Sequence, residues 1–244
     1  MKKGLKKSKI LPLLLIILMV VFANNKEEIK NIFNKSLAIP TISYNVNEIP
    51  EYNGSPVIVI NNNVPLFTDE DYNSKTFESY SELDILGRCG IAFANIDKSL
   101  MPTTKRGSIG MIKPSGWHTI KYDNVDGKYL YNRCHLIGYQ LTGENDNKKN
   151  LITCTRFMNT KSMLEYENKV ANYIKKTGNN VLYRVTPVFY DDNLLVSGVL
   201  IEAASVYDKG KDLSFFVFIY NIQDGILIDY KTGDSKLVNS KANW

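Results

Sequence analysis

Tyr129-Leu130-Tyr131-Asn132-Arg133-Cys134-His135-Leu136-Ile137 is an aromatic and aliphatic run that reads as a β-strand. Leu151-Ile152-Thr153-Cys154-Thr155 reads as its partner strand. Asn159 to Lys176 follows as a helix, with Leu164, Val170 and Ile174 on its apolar face and Lys175-Lys176 then Gly178 as its stop. The 13 residues between the strands, Gly138 to Asn150, are expected to form a long loop. Strand, loop, strand and helix in this order predict a small ββα unit. His135 near the end of its strand and Asn159 opening the helix then converge on one side of it.

Working outward, Met101 to Gly116 carries Pro102, Gly107, Gly110, Pro114 and Gly116, and reads as a loop. Lys105, Arg106 and Lys113 lie in it, and no acid occurs between Lys98 and Lys121, so it is the clearest basic loop of the chain. Before it, Val57 to Ile60 and Gly87 to Asn95 read as strands, Asn61 to Asn63 with Pro65 as a turn, and Asp69, Glu70 and Asp71 as first-turn acids of a short helix. After the helix come strands near Val181–Val188, Leu194–Ala203, Phe215–Ile222 and Ile226–Tyr230. No internal repeat interrupts the pattern. One α+β domain over residues 51–244 accounts for it, preceded by a polar linker at 24–50.

The first 23 residues read as a targeting segment. Lys2, Lys3, Lys6, Lys7 and Lys9 precede an uncharged run of 14 residues, Ile10 to Ala23, short for a full membrane span. Two outcomes remain open: cleavage after Ala23, or retention as an N-terminal membrane anchor held by its lysines. Either places the rest of the chain outside the cell, secreted or anchored to the outer face of the membrane. The whole chain has 30 basic and 25 acidic residues, but those five lysines are the entire excess. The remainder is neutral, so net charge is no argument for a nucleic-acid partner and only local clustering counts. Cys89, Cys134 and Cys154 allow one disulfide with a free thiol, or three thiols, and their spacing suggests no zinc site.

The chain has two histidines, His118 and His135, so a side-chain base that titrates unaided near neutral pH must be one of them. Phosphodiester hydrolysis needs a base for water, a cation against charge building on phosphorus, and a proton for the leaving oxygen. His135 is suited to the first task. Mg²⁺ keeps several waters and asks for few protein oxygens, which the amide of Asn159 is able to supply, with Glu167 two helical turns on to hold those waters. Asn159 is equally suited to capping the helix. Tyr129, Tyr131 and Tyr139 are candidates for stacking on bases, or for plain packing within strands.

Asn132-Arg133-Cys134-His135 resembles the Asp-Arg-Gly-His motif of the DNA/RNA non-specific endonucleases, the ββα-metal nucleases. Within that family the nearest likeness is to the exported nucleases of Gram-positive bacteria that process DNA during its uptake. Lys113-Pro114-Ser115-Gly116-Trp117-His118, Asn147-Lys148-Lys149-Asn150-Leu151-Ile152-Thr153, Arg156-Phe157-Met158-Asn159, Tyr166-Glu167-Asn168-Lys169-Val170 and Val181-Leu182-Tyr183-Arg184-Val185-Thr186-Pro187 extend it over about residues 83 to 234. The resemblance implies a ββα-metal core inserted on a mainly antiparallel central sheet with flanking helices.

It also implies an Mg²⁺-dependent endonuclease, with Mn²⁺ as an alternative ion, that hydrolyses DNA and RNA to 5′-phosphate ends. His135 would be the general base, Asn159 the metal ligand, Asn150 a support beside the metal, Glu167 the holder of its waters and Arg133 a phosphate contact. Lys105 and Arg106 are the substrate-binding candidates of the basic loop. No segment indicates a protein partner. Three departures from the family pattern stand out: Asn132 replaces the motif's Asp, Cys134 replaces its Gly, and Ala171 stands where an arginine is common. The first two positions supply neither base nor ligand, so both changes are expected to be tolerated. The rival expectation is a non-catalytic extracellular DNA-binding protein with a decayed nuclease site.

Overall fold

The computed structural model describes residues 44–238. The expected targeting segment and most of the linker lie outside the described residues. Among the described residues no helix is long and apolar enough to cross a membrane.

Alternation of side chains builds the central sheet. β1 (Val57–Val59), β2 (Phe77–Tyr80), β3 (Ala92–Ile96), β6 (Val181–Val188), β7 (Gly198–Ser205) and β8 (Ser214–Tyr220) form six strands in the order β1-β8-β7-β6-β3-β2, with every pairing antiparallel. Successive residues point to opposite faces of a strand. Thus Phe215, Val217 and Ile219 of β8 enter the main core, whereas Phe216, Phe218 and Tyr220 enter a second apolar cluster on the other face. Ile49 is buried in that second cluster, with Tyr44 and Val46 against it, while Asn45, Asn47, Glu48 and Pro50 are exposed.

The main core is closed by the ββα unit. β4 (Tyr131–His135) and β5 (Leu151–Thr155) form a separate antiparallel pair. The chain then turns through a π-helical segment, Met158–Met163, into α3 (Leu164–Thr177). Val170, Ala171 and Ile174 of α3 are buried. Leu164 is exposed, so it does not belong to the apolar face predicted for it. α3 ends at Gly178, whose φ of 76° and N–H bond to the Ile174 carbonyl (2.9 Å) make a left-handed cap. Ala171 sits in the core, where an arginine's charge would have no water.

Several boundaries differ from expectation. β3 starts at Ala92 rather than Gly87, because Asp84 pins the preceding turn through Leu86 N–H, Arg88 N–H and the Arg88 guanidinium. β2 was not foreseen; it follows the expected acidic helix α1 (Asp69–Tyr72), closed by a reciprocal Thr68–Asp71 capping box. The stretch between β4 and β5 is no plain loop: it holds α2 (Tyr139–Thr142) and a 3-10 turn, Lys148–Asn150. β9 (Ile226–Ile228) pairs with a further unforeseen strand, β10 (Ser235–Leu237).

Candidate active site

The β4–β5 register decides which side chains meet. Cys134 faces Ile152 and Asn132 faces Cys154, so Cys134 and Cys154 are diagonal neighbours on the core face. They form a disulfide with Cα atoms 5.9 Å apart, and Cys89 remains a buried free thiol that burial pushes up to about 12. Tyr131, Arg133 and His135 take the opposite face.

His135 is buried, and its Nε2 lies 2.8 Å from the carbonyl oxygen of Asn145. A carbonyl only accepts, so Nε2 carries the proton and Nδ1 keeps the lone pair. Burial lowers the imidazole pKa to about 4; the charge of Arg106 pushes the same way and the Asn145 bond opposes it. The ring is therefore neutral throughout the physiological range, as a base must be. Asn150 holds the backbone just beyond it. Ile137 N–H donates to Asn150 Oδ1 (2.9 Å), Asn150 Nδ2 donates to the Ile137 carbonyl (3.0 Å), and Leu136 N–H donates to the Asn150 carbonyl (2.8 Å). Both ends of this fully buried amide are thereby spent on positioning.

The helix begins earlier than Asn159, and Thr155 caps it. Thr155 Oγ1 accepts from Met158 N–H (3.1 Å), and Thr155 itself is fixed by Asn221 Oδ1 (2.8 Å) and the Ile222 carbonyl (2.7 Å). Asn159 is thus excused from capping. It sits within the π segment, a geometry often found at functional sites, and lines an open cavity of about 440 Å³ with Arg106, Asn132 and Arg133. Glu167 is half-buried under Gly138, where a single methyl group would overlap its carboxylate. Burial raises its pKa to about 7, opposed by Gln140, whose Nε2 is 3.5 Å from Oε2, and by Arg106. Arg106 is thus a cation felt by both His135 and Glu167.

Arg133, expected to contact phosphate, is largely committed to the basic loop. Its Nη2 donates to the Gly110 carbonyl (2.7 Å) and its Nε to that of Ile112, while its guanidinium stacks 3.9 Å from the Trp117 ring. Tyr139 Oη fastens the same loop at the Thr104 carbonyl (3.0 Å), and Thr153 Oγ1 at that of Ser115 (2.8 Å). Arg106 reaches the cavity; Lys105 is exposed beside it and does not line it. His118 lies apart, with Nε2 3.0 Å from the Thr232 carbonyl.

Among the described residues, no three His, Cys, Asp or Glu side chains gather as a metal cluster. A tetrahedral nitrogen and sulfur site is therefore not built here. The uncommitted amide of Asn159 lines the cavity with Arg106, and Arg106 in turn acts on the charges of His135 and Glu167, neither of which lines the cavity. An amide oxygen as donor fits a hard cation that retains most of its waters. Sequence reading missed Asn145, Gly138 and Thr155. Asn145 acts through its carbonyl and Gly138 by lacking a side chain, so neither has a side-chain signature. Thr155 was legible in principle, as a capping residue three before Met158.

Residues 68–206 match the DNA/RNA non-specific endonuclease family, over more than half of the 244 residues, and the chain belongs to that family. NucA from Streptococcus agalactiae with no metal bound is similar at a TM-score of 0.69 and 27% identity, covering 79% of this chain and 92% of that one. NucA with a magnesium ion bound gives 0.67 and 27%, covering 86% and 96%. Sda1 nuclease with a bound zinc ion gives 0.56 and 28%, covering 67% and 82%. The fold is that of a ββα-metal nuclease, and the chain is an enzyme that cleaves nucleic acids. The rival of a non-catalytic receptor is set aside.

Proposed function

We propose that this protein is an exported, divalent-cation-dependent endonuclease that hydrolyses DNA, and RNA as well, with little sequence preference. The observation that carries the reading is the neutral, buried His135, its Nδ1 freed by the Asn145 carbonyl, under the charge of Arg106, which also acts on Glu167 and lines the cavity with Asn159. Nδ1 takes a proton from water as that water attacks phosphorus and the P–O3′ bond breaks. The imidazolium formed keeps its Nε2–H on the Asn145 carbonyl, and the departing 3′-oxygen takes its proton from solvent water. Arg106 offsets negative charge gathering on the phosphoryl oxygens. Asn159 would hold the cation through its amide oxygen and Glu167 would orient its waters, while Asn150 fixes the strand end behind the base. When bound, the cation supplies Lewis-acid stabilisation of the phosphoryl group. Mg²⁺ suits this donor set, as does Mn²⁺, and the magnesium found with NucA accords with it.

Recognition of backbone phosphate alone accounts for low sequence preference and for activity on both sugars, with cleavage leaving 5′-phosphate ends. Export is supported by the lysine-then-apolar leader and by the Cys134–Cys154 disulfide, a feature of oxidising compartments. A cleaved leader suits scavenging of extracellular nucleic acid, and a retained anchor suits DNA uptake at the membrane.

Calorimetric titration of Mg²⁺ into the chain tests the metal assignment without activity. Affinity should rise between pH 6 and 8 as Glu167, with its pKa near 7, gives up its proton, and Asn159→Ala should abolish the binding. Equal affinity for Asn159→Ala would overturn the ligand assignment. Digestion of plasmid and ribosomal RNA in parallel tests the substrate range.

A further inference from the structure

The cavity at Asn159 has lining residues to which the chemistry assigns no task. Besides Arg106, Asn132 and Asn159 it is lined by Trp117, Tyr129 and Arg156. Each aromatic ring there carries a cation on one face: Arg133 over Trp117 at 3.9 Å, and Lys121 over Tyr129 at 4.6 Å. Arg156 is held in the wall by Asp126, at 3.1 and 3.3 Å.

Three tyrosines near the motif are candidates for stacking, and the structure separates them. Tyr131 is buried with its hydroxyl on the Gly233 carbonyl (2.9 Å), and the Tyr139 hydroxyl fastens the basic loop. Tyr129 is 46% exposed and contributes to none of the three apolar clusters. It is nevertheless rigidly presented. Its backbone bridges Lys121 across a tight hairpin closed by Tyr122 N–H to the Lys128 carbonyl (2.9 Å) and Leu130 N–H to that of Ile120 (3.0 Å). A large, ordered, half-exposed aromatic without a packing role, bordering a cavity among cations, has the chemistry of a nucleotide subsite.

Resting on the nuclease reading, we infer that Tyr129 is a stacking platform for the base of a nucleotide flanking the scissile phosphate, with Arg156 facing the next phosphate. Lys121 backs the ring from behind and strengthens its hold on a base. The subsite favours single-stranded segments, whose bases are free to turn onto the ring.

Two strands separate the base from the backbone: a thymidine hexanucleotide, and a hexamer of abasic deoxyribose phosphate. Binding is read by fluorescence anisotropy in EDTA, and cleavage by kcat and KM in Mg²⁺. The full chain should prefer the thymidine strand about tenfold, mainly in Kd and KM. Tyr129→Ala should lose most of that preference and Tyr129→Phe should keep it. A Tyr129→Ala protein that retains the full preference overturns the subsite while leaving the nuclease intact. Tyr129-dependent base preference in binding, without any cleavage, supports the subsite and overturns the nuclease reading instead.

Discussion

His135 and Glu167 carry opposite protonation biases within one site, and the signs can be worked out. The folded His135 titrates at about 4 against 6.5 unfolded, so between these values the unfolded chain binds more protons. Stability from this residue is complete above pH 6.5 and is lost as pH falls toward 4. Glu167 titrates at about 7 against 4.5, so the folded chain holds the extra proton and its contribution falls as pH rises from 4.5 to 7. Each effect is on the order of 3 kcal/mol over its window, and in metal-free protein they offset one another. Urea midpoints of the wild type should therefore be nearly flat between pH 5 and 6.5. Those of Glu167→Gln should climb with pH and those of His135→Gln should fall. Parallel slopes in all three proteins would contradict the assigned environments.

Gly138 offers a second test at this scale. Its backbone is ordinary, with φ of −58°, so alanine there meets only the steric overlap with the Glu167 carboxylate. Gly138→Ala should weaken Mg²⁺ binding and activity about tenfold or more, because the carboxylate is displaced, with an overpacking cost of about 1–3 kcal/mol in stability. Unchanged Mg²⁺ affinity would show that Glu167 has no part in holding the cation.

At the scale of elements, the ββα unit was legible because its strands are continuous β-forming runs and its helix has a clear stop. Leu151–Thr155 was bounded as observed, since Asn150 and Arg156 flank a purely strand-forming run. The helix start was misplaced because Asn159 is a good capping residue. The true cap, Thr155, had been assigned to the preceding strand, and it serves both elements. α2 escaped notice because four residues show no period. The disulfide could not be read from three cysteines; only the register makes Cys134 and Cys154 neighbours. At a sequence separation of 20, the cross-link should contribute roughly 3 kcal/mol by the loop-entropy account. Cys134→Ala/Cys154→Ala should unfold at lower temperature than the oxidised wild type and be indifferent to dithiothreitol. A wild type equally stable with and without reductant would mean that the link does not form.

At the scale of the whole molecule, a buried ion pair ties the N-terminal cover to the sheet that carries the site. Arg184 on β6 meets Glu202 on β7 at 2.7 Å, both fully buried, and the pair grips Leu66. Leu66 N–H donates to Glu202 Oε2 (2.6 Å), and Arg184 Nη2 donates to the Leu66 carbonyl (2.9 Å). The guanidinium lies against the stacked rings of Phe67 and Phe93, at 4.9 and 5.1 Å from their centroids. Arg184→Ala strands the carboxylate and should cost about 3–5 kcal/mol in a denaturant titration, whereas a surface pair such as Lys128–Asp123 should cost under about 1 kcal/mol. Equal costs would refute the clamp. Sequence reading passed over this pair, because one arginine and one glutamate in separate strands acquire meaning only from their register.

The central claim is that His135 is the base of a metal-dependent nuclease. The direct measurement is digestion of supercoiled plasmid by residues 24–244 in Mg²⁺, in EDTA, and by folded His135→Ala. Nicking and degradation should occur with Mg²⁺, stop with EDTA, and fall by at least about 100-fold in the variant. Plasmid cut equally well by His135→Ala, or without any divalent cation, would contradict the account.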